Sequence, residues 1–290
     1  MKKRTRQPLF VVWRISMEYK ILFSDFDGTL RSDGKDISEG NRLAIAAACE
    51  AGKKIVLCSG RSWKSLSFYE DELGLNRPGD YGIAFNGGVI YGYTEKGRGV
   101  LHRFVMDNDV AREAISFLKK YEKELGFHLL VFGADDDLYA EEDIKKAKSF
   151  SEDRRLSIKF VNDFSEFDTG FMKILVHGRN EALLKIAELI KPKFGDKCNI
   201  VFSAGELLEL LSTGVDKGQG LMNVCDYLKI PISQAIAIGD EANDAPMLTK
   251  AGLGIAVANA SDAAKAAADV VLELGCGDDA VKYAIEKYLM

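Results

Sequence analysis

The sequence predicts an α/β fold: a parallel sheet flanked by helices, with a second, α+β unit inserted into it. Three observations carry that expectation. Short apolar runs (Ile21-Leu22-Phe23, Ile55-Val56-Leu57 and Ala235-Ile236-Ala237-Ile238) alternate with helical stretches, the rhythm of strands joined by right-handed crossovers. Each run leads into a polar motif: Asp25-Phe26-Asp27-Gly28-Thr29, Ser59-Gly60-Arg61 and Asp240-Glu241-Ala242-Asn243-Asp244. From about Tyr91 to Ala204 the strand-like runs lack such motifs, and several alternate in character as one-sided sheets do.

In chain order, the first strand ends before Gly28, which lets the backbone turn sharply where a Cβ would resist. Ser38 suits the N-cap of a helix over Glu39–Ala51, closed by Gly52. Lys54–Cys58 reads as the second strand, Trp63–Leu73 as a helix closed by Gly74, and Tyr81–Phe85 as a third strand ending at Asn86-Gly87-Gly88. In the inserted unit, Val110, Ala114, Phe117, Leu118, Tyr121 and Leu125 make one helical stripe. Strands are expected at His128–Phe132, Leu156–Val161, Phe171–His177 and Asn199–Phe202. Helices are expected near Glu141–Phe150, a charged solvated face, and from Glu181 to Ile190, stopped by Pro192. Leu207–Leu211 is expected to return the chain to the first domain, followed by a helix through Leu228 capped by Asp216. Strands at Leu253–Val257 and Val270–Leu272, an Ala-rich helix after Ser261 and a last helix over Asp278–Leu289 complete the pattern.

The 290 residues suit one large and one smaller domain. The expected division is 17–90 with 205–290 as the core and 91–204 as the insertion. Residues 1–16 read as a disordered extension, or as the product of an upstream start with Met17 the natural beginning. Their apolar run, Leu9–Trp13, is short for a signal peptide and lacks a small-residue cleavage site. A net charge of −5 argues against nonspecific nucleic-acid binding. Five scattered cysteines without a Cys-x-x-Cys pair read as reduced thiols of a cytoplasmic protein. No run approaches the roughly 20 apolar residues of a membrane span.

Ligands of open parallel sheets bind beyond the carboxyl ends of the strands, where the three polar motifs stand. Asp25 and Asp27, two residues apart in extended chain, point to one side. Lys217, at a helix start, suits an anion. A phosphate ester approaching ionised carboxylates is repelled by about 4 kcal/mol per charge pair at 4 Å and an effective dielectric of 20. A divalent cation on oxygen ligands reverses that sign, and Mg²⁺ suits a few carboxylates plus substrate phosphate. Asp25 could then attack phosphorus in line, and Asp27 could protonate the leaving oxygen and activate water.

Asp-Phe-Asp-Gly-Thr, Ser-Gly-Arg, the downstream Lys217 and Gly-Asp-x-x-Asn-Asp, in that order, resemble the haloacid dehalogenase-like superfamily. The insertion between the second and third motifs is similar to that of its Cof-type sugar-phosphate phosphatases. The resemblance runs from Met17 to the C-terminus and implies a Rossmann-like core with an inserted α+β cap. It implies Asp25 as nucleophile and Asp27 as acid/base. The Asp25 carboxylate, the Asp27 carbonyl and the Asp240 carboxylate would hold Mg²⁺, with support from Asp244. Ser59, Gly60, Arg61, Lys217 and Asn243 would serve the substrate, Arg61 and the Asn86 turn lying near the cap hinge. Ser59 stands where Thr is more usual, and the hydroxyl is kept.

Other features carry no chemistry. Gly214-x-x-x-Gly218-x-Gly220 lacks the Gly-Lys-Ser/Thr ending of a P-loop and reads as loop and close helix packing. Asp135-Asp136-Asp137 lacks calcium-loop spacing and reads as a hairpin turn. His102, His128 and His177 have no ligand spacing. The expected function is Mg²⁺-dependent hydrolysis of a small phosphorylated metabolite, with neither nucleic acid nor membrane as partner, by a monomer or small homo-oligomer. A phosphomutase or phosphotransferase, or a noncatalytic phosphometabolite-binding protein, are the alternatives. Lys173 and Glu206 are the cap residues expected to face the leaving group.

Overall fold

The computed structural model describes residues 18–32, 34–141, 151–152, 156–164, 167 and 169–290. The expected extension over residues 1–16 and nearly all of the charged helix expected up to 150 lie outside the described residues. The strands are β1 (Ile21–Ser24), β2 (Lys54–Leu57), β3 (Tyr81–Ala84), β4 (Val89–Thr94), β5 (Gly97–Arg103), β6 (His128–Gly133), β7 (Leu138–Ala140), β8 (Ile158–Phe160), β9 (Phe171–His177), β10 (Cys198–Ala204), β11 (Leu207–Ser212), β12 (Ala235–Gly239), β13 (Leu253–Ala256) and β14 (Val270–Val271).

Five of these form a wholly parallel sheet in the order β14-β13-β12-β1-β2. Helices Glu39–Glu50, Trp63–Leu73 and Lys217–Leu228 begin at Ser38, Ser62 and Asp216, whose side chains accept from backbone N–H groups of the first turn. β1 and β12 are fully buried, which is why their sequences read as unbroken apolar runs.

Two expectations about strand placement are corrected. Tyr81–Ala84 joins β4 and β5 in a three-stranded antiparallel sheet and touches β2 through a single parallel bridge, Cys58 to Ile83. The Gly-rich, solvent-facing β5 has too little apolar patterning to be read as a strand. Leu207–Ser212 does not return to the parallel sheet. It pairs antiparallel with β9 and β10 inside a six-stranded sheet ordered β10-β11-β9-β6-β7-β8, so the crossing back falls after Ser212. The helix from Asn180 also continues through Pro192 to Phe194. A proline so close to a helix end disrupts little of the helix beyond it. Asp135–Asp137 is the tip of the β6–β7 hairpin, as expected.

The six-stranded sheet has two apolar faces. Leu129, Val131, Ile174, Val176, Leu208 and Leu210 pack in one cluster with the helices Asn108–Leu125 and Asn180–Phe194. Leu130, Phe132, Leu175, Leu207 and Leu211 belong to the cluster that contains the parallel sheet. Burying both faces explains why β9 and β11 do not alternate cleanly between apolar and polar. No helix of the described residues is long and apolar enough to cross a membrane.

Candidate active site

Strand register gathers the motifs. Ser24 stands opposite both Leu57 and Ile238, so Asp25, Ser59 and Asp240 follow strands that end together. The Asp25 N–H donates to the Ile238 carbonyl at 2.9 Å, and the Ser59 N–H to that of Ile83 at 3.0 Å. Gly28 has a φ of +83°, and a Cβ there would lie 2.2 Å from an Asp240 carboxylate oxygen. The turn after β1 can therefore approach Asp240 only as glycine.

Lys217 arrives on the helix Lys217–Leu228, seated by two close glycine contacts. A Cβ on Gly218 would meet the Pro246 carbonyl at 2.5 Å, and one on Gly220 would meet Ile83 at 2.8 Å. The Lys217 Nζ, 1% exposed, donates to Asp25 Oδ1 at 2.6 Å and Asp244 Oδ1 at 2.5 Å. The other Asp244 oxygen accepts from the N–H groups of Asp240 and Glu241, both at 2.9 Å. Asp240 Oδ1 accepts from the Thr29 hydroxyl at 2.7 Å. Residues 25, 29, 217, 240 and 244 thus form one buried cluster.

Its electrostatics are those of crowded acids. Burial, then the Asp244 charge, push Asp25 up to about 7 against the pull of Lys217. Burial, then Asp25 and Asp244, push Asp240 up to about 10. Burial works against the Lys217 ammonium, but Asp244 and Asp25 outweigh it and hold its pKa well above the ordinary value. Carboxylate oxygens of Asp25, Asp240 and Asp244 lie within 4.8 Å of one another. Hard oxygen donors that repel one another at this spacing fit a divalent cation such as Mg²⁺. Asp244 is already engaged by Lys217 and two N–H groups, so its natural part is to support the other two acids.

Asp27 stands apart from the three-acid group. Its carboxylate is gripped by Arg61, through Nε at 2.6 Å and Nη2 at 2.8 Å, with Arg31 Nη2 at 3.4 Å. As a metal ligand Asp27 therefore has only its carbonyl to offer. Both guanidinium groups lie 5.2–5.8 Å from the rings of Phe26 and Tyr69. Ser59 is buried, its hydroxyl oxygen accepting from the Arg61 N–H at 3.2 Å. Asn243 Nδ2 donates to Asn86 Oδ1 at 3.0 Å.

Thr29 and the pair Lys173–Glu209 carry more than their sequence suggested. Lys173 donates to the Gly60 carbonyl at 2.8 Å and Glu209 Oε1 at 3.0 Å. Glu206 is different: its side chain is 76% exposed, beside His177. His177 lies four residues along β9 from Lys173, about 13 Å at strand rise. The signal for the pair was available, since each is a lone charge inside an apolar run.

A family model described as haloacid dehalogenase-like hydrolase matches residues 22–285. The putative phosphatase YxeH of Bacillus subtilis is 29% identical over 245 residues, covering 83% of this chain and 88% of that protein. The 5-amino-6-(5-phospho-D-ribitylamino)uracil phosphatase YitU of the same organism is 27% identical over 245 residues, 83% of this chain and 87% of that one. Among solved structures, a haloacid dehalogenase-like hydrolase from Bacteroides thetaiotaomicron superposes with a TM-score of 0.79 at 28% identity, covering 93% of this chain and 99% of that one.

Proposed function

Since the chain belongs to the haloacid dehalogenase-like hydrolases, we propose that it is a Mg²⁺-dependent, cytoplasmic phosphatase of small metabolites working through an aspartyl-phosphate. The observation that carries this reading is the convergence of Asp25, Lys217, Asp240 and Asp244 on one strand-end edge. Asp25, Asp240 and the Asp27 carbonyl would hold the metal, which would neutralise phosphate charge as the ester enters.

Asp25 attacks phosphorus through a carboxylate oxygen, forming an O–P bond as the bond to the ester oxygen breaks. Asp27 gives its proton to that oxygen, and the alcohol leaves. Asp27 then takes a proton from water, whose oxygen attacks phosphorus, and breakage of the Asp25–phosphorus bond frees inorganic phosphate and Asp25. Lys217 holds the Asp25 carboxylate in place and offers positive charge to the phosphoryl oxygens, with Ser59, Gly60 and Asn243 as further hydrogen-bonding groups. Arg61 positions Asp27, and its grip must loosen for Asp27 to carry a proton.

The parallel-sheet unit is the catalytic core in this reading, and the six-stranded sheet with its two helices is the cap. A covered site favours small esters by excluding polymers and bulk water. The name of YitU, with its phosphorylated ribityl group, supports sugar or sugar-alcohol phosphates as the class to try first. The test is phosphate release from a panel of such esters by wild type and Asp25→Asn. We expect turnover in Mg²⁺, loss in chelator, recovery on adding Mg²⁺, and none from the variant. A variant as fast as wild type overturns the covalent route; an isomerised sugar phosphate without free phosphate indicates a mutase.

A further inference from the structure

Two charged side chains lie on an otherwise apolar sheet face. Lys173 of β9 and Glu209 of β11 are each 2% exposed, on the face whose neighbours pack toward the parallel sheet. Glu209 Oε1 accepts from Lys173 Nζ at 3.0 Å and from Ser203 Oγ at 2.6 Å. A buried pair like this costs desolvation, and apolar residues of similar size often serve stability as well or better. Its presence at this spot calls for a reason beyond holding the fold.

The pair's remaining contacts supply one. Lys173 donates to the Gly60 carbonyl at 2.8 Å, within the loop that carries Ser59 and Arg61. Glu209 Oε2 accepts from Asn86 Nδ2 at 2.7 Å, and Asn86 Oδ1 accepts from Asn243 Nδ2 at 3.0 Å. The Asn86 amide is thus spent on both sides, with its orientation set by Glu209. Phe85 and Asn86 hold φ values of +50° and +55°, a left-handed pair that costs energy and persists only where surroundings impose it. The following Gly87 (φ +99°) would place a Cβ 2.4 Å from the Asp216 carbonyl, beside Lys217.

We propose that Lys173 and Glu209 are positioning residues of the site: through Gly60 and the Asn86 turn they set where the Ser59–Gly60 loop and Asn243 meet a phosphoryl group. Neither is a catalytic residue. The inference rests on the phosphoryl-binding reading above and assigns the pair to placing the phosphate rather than choosing the leaving group.

The test uses the full chain with p-nitrophenyl phosphate as substrate and inorganic phosphate as competing ligand. Lys173→Met with Glu209→Leu removes both charges together, leaving no orphaned ion. Asn86→Gly is the second variant, because glycine suits the left-handed turn and deletes only the relay amide. We expect both to weaken phosphate inhibition by about tenfold or more, with KM rising in parallel, while Asn86→Gly, though less stable for the partners it leaves, keeps one cooperative thermal unfolding transition. Lys173→Arg should retain more of the affinity than the double variant. Adding Asn243→Ala to the double variant should cost less than in wild type, because the two act along one line. Unchanged phosphate inhibition in Asn86→Gly, or full additivity with Asn243→Ala, overturns the proposal while leaving a working wild-type phosphatase. A wild type that neither cleaves the ester nor is bound by phosphate overturns the site reading itself.

Discussion

Lys217 faces the hardest balance of any single residue. It is buried with Asp25 and Asp244 within 2.6 Å of its Nζ. Removing the lysine leaves the acids buried without their counter-charge, which costs more than the intact group contributes. Lys217→Met should therefore lose about 3–5 kcal/mol in chelator. A divalent cation binding between the acids stabilises the folded state by mass action. Millimolar Mg²⁺ should accordingly return more stability to the variant than it adds to wild type. Urea unfolding with and without Mg²⁺ measures both quantities. A loss below about 1 kcal/mol, the range of exposed ion pairs, would mean that Lys217 is not the counter-charge of this cluster.

At the scale of elements, the turn after β1 decides how closely the Asp25–Thr29 and Asp240–Asp244 motifs approach. Gly28→Ala combines a positive φ with a Cβ 2.2 Å from the Asp240 carboxylate. Asp240 must move away from Thr29, or the turn must open. We expect a loss of about 1–3 kcal/mol and a fall in Mg²⁺ affinity, read together from urea unfolding and Mg²⁺ titration of phosphate release. An Ala variant with wild-type Mg²⁺ dependence would show that the close approach is dispensable. Turns of this kind were legible in the sequence because their residues are special in type as well as order: two acids, a glycine, a threonine. The parallel strands were legible for a related reason, since burial on both faces leaves unbroken apolar runs. Leu207–Leu211 was misplaced by the same rule. A run of leucines is equally at home in any doubly covered sheet, and only pairing with β9 and β10 assigns it. Glu209 within that run was the unread exception, and Lys173 within Phe171–His177 was read without its partners, because Glu209 and Gly60 lie 36 and 113 residues from it in sequence.

Across the whole molecule, three sheets have to stay in register with one another, and polar contacts tie them. Arg103 at the end of β5 grips Asp136 of the β6–β7 turn with two bonds of 2.6 Å, and Lys64 reaches Asp137 at 2.8 Å. The buried joint is Glu70, on the helix Trp63–Leu73, which accepts from Tyr91 at 2.8 Å and Tyr93 at 2.6 Å on β4. Burial pushes this carboxyl up from 4.5 to about 7, even though both tyrosine hydrogen bonds favour its ionised form. The folded state therefore keeps a proton that the unfolded chain has released between pH 4.5 and 7. With more protons bound in the folded state, stability from this group is fully present below pH 4.5 and falls as pH rises through 7. The size is about 3 kcal/mol at 1.36 kcal/mol per pKa unit. Glu70→Gln cannot ionise and keeps an acceptor for one tyrosine, so its own curve lacks this slope. Other titrating groups, those of the acidic cluster included, affect both proteins alike and cancel in the difference. Urea unfolding of the two proteins from pH 5 to pH 8 should show wild type losing ground to Glu70→Gln as pH rises, with most of the change complete by pH 8. Parallel curves would mean that the joint between helix and hairpin stays charged throughout, and that the tyrosines and the Arg98 charge together offset the desolvation.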